Sequence, residues 1–249
     1  MSIADLALLL VAALGAGVLN AVAGGGSFLT FPALVAVGVP PIMANATSAV
    51  AVTPGYAGSV VGFKDELTAL PRALLRNEVI VAAVGGLLGA GLLLVTPQHL
   101  FVGLIPWLLL IATVLFALGP VLARRSAGAM GHNRWRLPGL LVVCVYGGYF
   151  NGGLGILLMA LYGLVGETNI HTANGLKNLN SLVLALASVT AFALAGAVDW
   201  RAALLMMVGT TVGGFVGARG AKKLPVVWIR AVVIATGVIM TVVFFRKYG

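Results

Sequence analysis

Apolar runs of membrane-spanning length, parted by short polar or glycine-rich interruptions, set the plan of this chain. A helix needs roughly 20 apolar residues to cross the hydrocarbon core. Ile3–Ala23, Ile42–Phe63, Asn77–Val95 and His99–Gly119 meet that requirement in the first part of the chain. Thr172–Val198, Trp200–Ala218 and Val226–Phe245 meet it in the second. Ser27–Gly38 is too short to cross alone and reads as a half-span, a tilted helix or one limb of a re-entrant hairpin. Leu137–Asn151 runs at once into Gly152-Gly153-Leu154-Gly155 and a short apolar stretch to Gly166, with Glu167–His171 as a polar elbow.

The interruptions carry more information than the spans. Between Asn20 and Ser48 stand Gly24-Gly25-Gly26, Pro32, Pro40-Pro41 and the cluster Ala44-Asn45-Ala46-Thr47-Ser48. Lipid tolerates non-helical backbone only where protein or a water-filled cavity covers it. Breaks of this kind, in matching places of two halves, are the best sequence pointer to a transporter's substrate site. The match exists here. Gly24-Gly25-Gly26 lies opposite Gly153-Leu154-Gly155 and Ala44-Asn45 opposite Ala173-Asn174, each about 129 positions apart. Gly85-Gly86-Leu87-Leu88-Gly89-Ala90 pairs with Gly213-Gly214-Phe215-Val216-Gly217-Ala218 at nearly the same offset. Single glycine matches are weak among 34 glycines, but three in order at one offset indicate duplication.

The basic loop shifts by one connection between the halves. It follows Phe63 in the first (Lys64, Arg72, Arg76) and Ala218 in the second (Arg219, Lys222, Lys223). By the positive-inside rule, equivalent loops then face opposite sides. The expected fold is therefore an all-α polytopic membrane protein of two inverted-topology repeats. Each has about five apolar elements, giving about eight to ten spans with one short or broken pair per half. Residues 1–120 form the first repeat, 121–136 a basic cytoplasmic linker holding Arg124, Arg125, Arg134 and Arg136, and 137–249 the second. Both termini fall outside, although Arg246 and Lys247 pull the other way. The opening segment resembles a secretory leader, yet it has no Lys or Arg and carries Asp5, so it reads as a retained first helix.

Composition agrees with the pattern and removes alternatives. Hydrophobic residues are 61% of 249, charged residues 8%, and the mean hydropathy is +1.10, whereas a soluble domain carries about 25% charge. The net charge of +9 sits in short loops without aromatic interleaving, so nucleic-acid binding is not expected. Cys144, the one cysteine, allows no intrachain disulfide and no cysteine metal cluster. No paired carboxylates, H-E-x-x-H or G-x-S-x-G arrangement supports an enzyme, and no cofactor or metal is expected.

The remaining polar groups suit an anion. Helix N-termini attract anions through unpaired N–H groups. Gly24, Gly25 and Gly26 would let backbone approach a ligand, with Asn45, Thr47 and Ser48 as hydrogen-bond donors and Asn20 as a further site residue. The plain alternative is that these glycines pack helices closely; the repetition of the break favours the site. From the second half come Asn151, Gly152, Gly153, Asn174, Lys177 and Asn178. Asn174, Lys177, Asn178 and Ser181 share one helical face. A lysine inside a span costs about 2.5–3.5 kcal/mol on insertion scales, so Lys177 is expected to face a cavity rather than to snorkel. His171 is the candidate coupling group, with helix capping as the simpler role. Glu78, just inside a span, is expected to pair with Arg72 or Arg76, Glu167 to be solvated, and no acid to lie mid-span. The Gly85–Gly89 and Gly213–Gly217 patterns read as packing faces.

These motifs resemble a known family. Asn20-Ala-Val-Ala-Gly-Gly-Gly-Ser-Phe with Phe31-Pro32 and Ala44-Asn45-Ala46-Thr47-Ser48 is similar to the first-half signature of the TauE/SafE sulfite exporters. Gly152-Gly153-Leu154-Gly155, Ala173-Asn174-Gly175-Leu176-Lys177-Asn178 and Val198-Asp199-Trp200 are similar to its second-half repeat. The resemblance implies a multi-pass permease of the bacterial inner membrane that exports sulfite, sulfoacetate or related organosulfonates. The expected function is thus a secondary transporter of small sulfur-containing anions working by alternating access. An anion channel of the same fold and a non-transporting membrane scaffold are the rivals. The partners are the small anion and the lipid bilayer, with a homodimer left open.

Overall fold

The computed structural model describes residues 1–22, 25–126, 133–220 and 226–248. Among these the chain is mostly helical, with no strand. The first half gives α1 (Ile3–Val22), α2 (Ser27–Ala36), α3 (Pro41–Gly62), the short α4 (Lys64–Thr68), α5 (Arg72–Val95) and α6 (Gln98–Ser126). The second gives α7 (Arg136–Tyr149), α8 (Leu154–Leu164), α9 (Ile170–Leu194), α10 (Trp200–Gly220) and α11 (Val226–Tyr248). Helix α5 starts earlier than its hydropathy suggests, because Pro71 at its N-cap sets the first turn and carries Arg72 and Arg76 onto the helix.

The two short elements are short for a visible reason. Helix α2 ends at Gly38, whose φ of +89° only glycine adopts easily, with Val39 N–H bonded to Leu34 O at 3.0 Å. Helix α8 ends the same way at Gly166 (φ +86°), with Glu167 N–H on Tyr162 O at 2.9 Å. Each spans only 10 or 11 residues, about 15 Å at 1.5 Å per residue.

Four helical stretches are long and apolar enough to cross a bilayer: Ile3–Asn20, Arg72–Val95, Gln98–Leu115 and Ile170–Leu194. Shorter apolar stretches include Trp200–Val216 and Ile234–Arg246. The chain is a multi-pass helical membrane protein. Helix α3 has the length but is not among the four. Asn45, Thr47, Ser48, Thr53 and Pro54 lower its hydropathy, and its buried positions from Ala44 to Val52 are covered by protein rather than lipid.

Packing follows a regular plan. Helix α1 lies along α10 and α5 along α7; α5 also packs on α9, and α10 on α3. Helices α3 and α9 cross, α6 meets α11, α2 rests on α1, α3 and α11, and α8 on α7, α9 and α6. Exchanging the five principal helices of one half for those of the other leaves these pairings unchanged. The tightest crossings run through glycine. A Cβ on Gly17 would strike the backbone of Thr210 and Gly214, and one on Gly213 the backbone of Leu14. In the other pair, a Cβ on Gly89 would strike Val145 and Tyr149, and one on Gly148 would strike Gly86. These glycines let backbones touch, as small-residue faces do in lipid, where no hydrophobic effect drives helices together.

Candidate functional site

A cavity of about 420 Å³ opens between α1, α3 and α10. Helix α3 supplies a groove of missing side chains, Gly55, Gly58 and Gly62, at the spacing of one helical face. Pro54 and Phe63 flank that groove, and Gly17, Gly214 and Phe215 give more apolar lining. The polar lining is Asn20 from α1, Ser59 from α3, and Thr210 and Thr211 from α10. No acidic side chain lines it among the described residues.

Asn20 fixes the chemistry. Its Oδ1 accepts the N–H of Gly26 at 3.0 Å, closing the start of α2 with a side chain six residues upstream. With the oxygen committed, the amide Nδ2 stands between Gly26 and Gly55, 3.0 and 3.9 Å from where a Cβ on each would stand. The cavity is thereby offered a donor. Asn20 thus holds the N-cap residue Gly26, just before the first turn of α2, in which Phe28 and Leu29 N–H bond back to Gly25 O and Gly26 O. Ser59 and Thr211 donate to carbonyls of their own helix, Gly55 O at 2.9 Å and Met207 O at 2.7 Å, while Thr210 reaches across to Ala51 O.

The other sequence-nominated residues are distributed around this cavity and the second break. Gly24 lies outside the described residues. Gly25 and Gly26 are buried, and a Cβ on Gly26 would crowd Ala16 O and Asn20. Asn45 is buried and donates to Tyr149 O at 2.9 Å, tying α3 to the end of α7. Thr47 accepts the N–H of Asp199 at 3.0 Å, and Ser48 shares a 2.6 Å hydrogen bond with Thr30. Asn151 is buried beside Tyr56, with its Oδ1 unpartnered. Gly152 O accepts from the Tyr146 hydroxyl at 2.8 Å, and Gly153, at φ +76°, caps α8 in the left-handed region. Phe31 of α2 meets Phe150 edge to face at 5.6 Å, so the second break abuts the first half.

On α9, Asn174 donates to Ile170 O at 3.0 Å and accepts from Lys177 Nζ at 3.2 Å. Asn178 is buried one turn further on, and Ser181 is fully buried. Of all these residues only Asn20 lines the cavity, and Lys177 does not. His171 is exposed at the start of α9, its backbone N–H held by the capping side chain of Asn169 at 2.9 Å.

Sequence reasoning missed a second polar cluster. Glu78 is fully buried within the Arg72–Val95 span, so an acid does lie inside the membrane-spanning segment. Its partner is neither Arg72 nor Arg76. Arg136 Nε donates to Oε1 at 2.6 Å, and Tyr162 Oη and Asn180 Nδ2 donate to Oε2 at 2.8 and 2.7 Å. Close packing of α5 on α7 brings in Arg136 from far along the chain, which a local reading cannot see. Glu167 is not simply solvated, because its Oε2 lies 3.7 Å from Arg136 Nη1. No group of three or more acidic, histidine or cysteine side chains could hold a metal among the described residues.

A helical bundle with several membrane-spanning elements, short broken elements in two places and a partly open, mainly apolar cavity carrying a few polar groups is the kind of architecture a membrane permease uses. A family model for the sulfite exporters TauE/SafE matches residues 9–244, and the chain belongs to that family. It is 31% identical over 233 residues to a probable membrane transporter protein, ORF9, of Sinorhizobium sp., covering 86% of this chain and 82% of that one. A probable membrane transporter protein of Haemophilus influenzae is 28% identical over 244 residues, 95% of this chain and 92% of its own. The probable membrane transporter YfcA of Escherichia coli K12 is 26% identical over 219 residues, 86% and 80% of the two chains. No solved structure matches the chain. The family and these relatives support a transporter role.

Proposed function

We propose that this transporter carries small sulfur-containing anions such as sulfite or sulfoacetate, and exports them across the bacterial inner membrane by alternating access. The observation that carries the reading is the cavity between α1, α3 and α10: it presents the Asn20 amide N–H₂ as a donor, beside the Ser59, Thr210 and Thr211 hydroxyls that must turn from their carbonyls to donate, and no lining acid among the described residues. Neutral donors replace an anion's hydration shell without the cost of a permanently buried cation. The cavity reaches Phe63, where α3 gives way to the Lys64-bearing segment. Basic connections of this kind favour the cytoplasmic side, which suits loading for export.

The exchange-symmetric packing supports two inverted halves, residues 1–120 and 137–249. Three cavity residues of the first half have large counterparts in the second. Gly17, Asn20 and Gly55 correspond to Tyr146, Tyr149 and Leu184, and Leu184 fills the space against Gly86 and Gly147. The space on the first-half side and its filling on the second-half side are thus fixed by sequence, a permanent asymmetry of the two halves. Asn45, Thr47, Asn151, Asn174, Lys177 and Asn178 then line or support the path between the two. The test is flux in proteoliposomes. Saturable sulfite counterflow supports the carrier. Strictly linear flux would make it a channel, and the absence of both flux and anion-dependent thermal stabilisation would leave the scaffold reading.

A further inference from the structure

An ionisable side chain inside a membrane span is costly and marks ion pathways or proton relays. Glu78 is such a residue, and its surroundings hold more than an ion pair needs for folding. Arg136 Nη2 is buried without a hydrogen-bond partner, while Nη1 lies 3.7 Å from Glu167, so the guanidinium stands between two carboxylates. Asn180 is fully buried, and its Oδ1 is an acceptor with no donor. An ionised carboxylate has no proton to offer it; a protonated one does. At the offset of the duplication, the counterparts of Arg136, Tyr162 and Asn180 are Ala7, Ala33 and Ala51 in the first half, and that of Glu78 is Met206 in the second. The equivalent crossing is therefore assembled without any charged group.

We propose that Glu78 is the proton-binding site that couples this transporter to the proton gradient. In one state the carboxylate is ionised and holds Arg136. In the other it has taken one proton from water and donates it to the Asn180 amide oxygen, reached by rotation of that amide, while Arg136 turns to Glu167. Arg136 keeps a carboxylate partner in both states, so neither strands a buried cation. The link that is made and broken joins α5 of the first half to α7 of the second. The 2.6 Å bond that Asn180 Nδ2 now donates to Tyr162 Oη is remade by the rotation in the opposite sense, with the Tyr162 hydroxyl donating to Oδ1. The titratable groups facing Glu78 are Arg136 and Cys144 from α7 and Tyr162 from α8, with uncharged Asn180 from α9. Lys177 on α9 is engaged by Asn174, and Arg72 and Arg76 precede Glu78 on α5 itself.

The cargo probe in the test rests on the anion reading above; the proton site does not. The full chain is reconstituted in vesicles with sulfoacetate, which is fully ionised near neutral pH, so that any proton moved is carried by the protein. The wild type should accumulate sulfoacetate against its gradient when a pH gradient is imposed, with proton movement seen by an internal pH dye. Glu78→Gln should lose that accumulation at least tenfold yet keep sulfoacetate counterflow within about threefold. Sulfoacetate counterflow in a wild type that shows neither accumulation nor proton movement under the imposed pH gradient, or pH-driven accumulation surviving in Glu78→Gln, overturns the proposal. If the wild type shows no counterflow, the cargo reading fails, and infrared titration decides Glu78 alone: a protonated-carboxyl band must appear on acidification and vanish in Glu78→Gln. If Glu78→Gln does not fold, Tyr162→Phe takes its place. Losing one donor to the carboxylate should raise the midpoint of that band by about one pH unit. An unmoved midpoint refutes the assignment.

Discussion

Asn20→Asp separates the two jobs that the structure gives to one side chain. The substituted carboxylate can still accept the Gly26 N–H, now as a charge-assisted bond, so the start of α2 stays closed. What changes is the end that faces Gly55, where a donor becomes a second anionic oxygen. Losing a hydrogen bond to a charged ligand costs about 1.5–3 kcal/mol. A like charge about 4 Å from the bound anion adds on the order of 4 kcal/mol at an effective dielectric of 20. Together these exceed 5 kcal/mol, more than a thousandfold in affinity at about 1.4 kcal/mol per factor of ten. The assay is thermal unfolding of the purified protein over a sulfite series. A ligand at 100 times its dissociation constant stabilises the wild type by about 2.7 kcal/mol, or roughly 5–11 °C at 2–4 °C per kcal/mol for a chain of this size. Asn20→Asp should show no sulfite-dependent shift at the same concentrations, with an unliganded Tm close to wild type. A shift that survives within a factor of ten in sulfite concentration would show that the anion does not meet Asn20.

Filling the groove tests the cavity by volume instead of charge. Added Cβ atoms at Gly58 and Gly62 meet nothing within 4 Å, so Gly58→Leu should be neutral or stabilising by up to about 1 kcal/mol through helix propensity, while cutting sulfite flux at least tenfold. Gly213→Ala should do the opposite, costing about 1–3 kcal/mol of stability because its Cβ collides with Leu14; Gly91→Ala, with open space, should not lower the Tm. Asn45→Ala removes the bond to Tyr149 O and should cost about 1 kcal/mol in a thermal melt. Glu78→Ala leaves Arg136 buried without its nearest partner and should cost about 3–5 kcal/mol, well beyond Glu78→Gln.

The parts of this molecule written in local pattern were legible in the sequence. The span lengths, the brevity of α2 and α8, and the glycine faces follow from apolar run length and from glycines that either reverse a chain or admit a neighbour. Asn20 was named because it sits at a break, and it does line the cavity. The rest of the lining, Ser59, Thr210 and Thr211 above all, was not foreseen. Hydroxyls on apolar helices usually bond to their own helix, as Ser59 and Thr211 do here, and nothing local marks the face that meets a void. The Gly55, Gly58 and Gly62 stripe was not singled out, because its spacing equally describes a packing face, and only the position of α10 tells the two apart. Glu78 was misread for a related reason. Sequence proximity offered Arg72 and Arg76, whereas the fold supplied Arg136 through the α5–α7 crossing. Lys177 shares a face with Asn174 as its spacing required, yet that face does not border the cavity.

Labelled-sulfite counterflow tests the central claim most directly. Vesicles holding the purified chain and millimolar unlabelled sulfite are diluted into trace labelled sulfite, and internal label is followed over time. A carrier that alternates one anion site between two sides predicts a transient overshoot of internal label above the outside concentration, saturating with sulfite and absent in Asn20→Asp. A monotonic rise to equality, the same in wild type and Asn20→Asp, would contradict it.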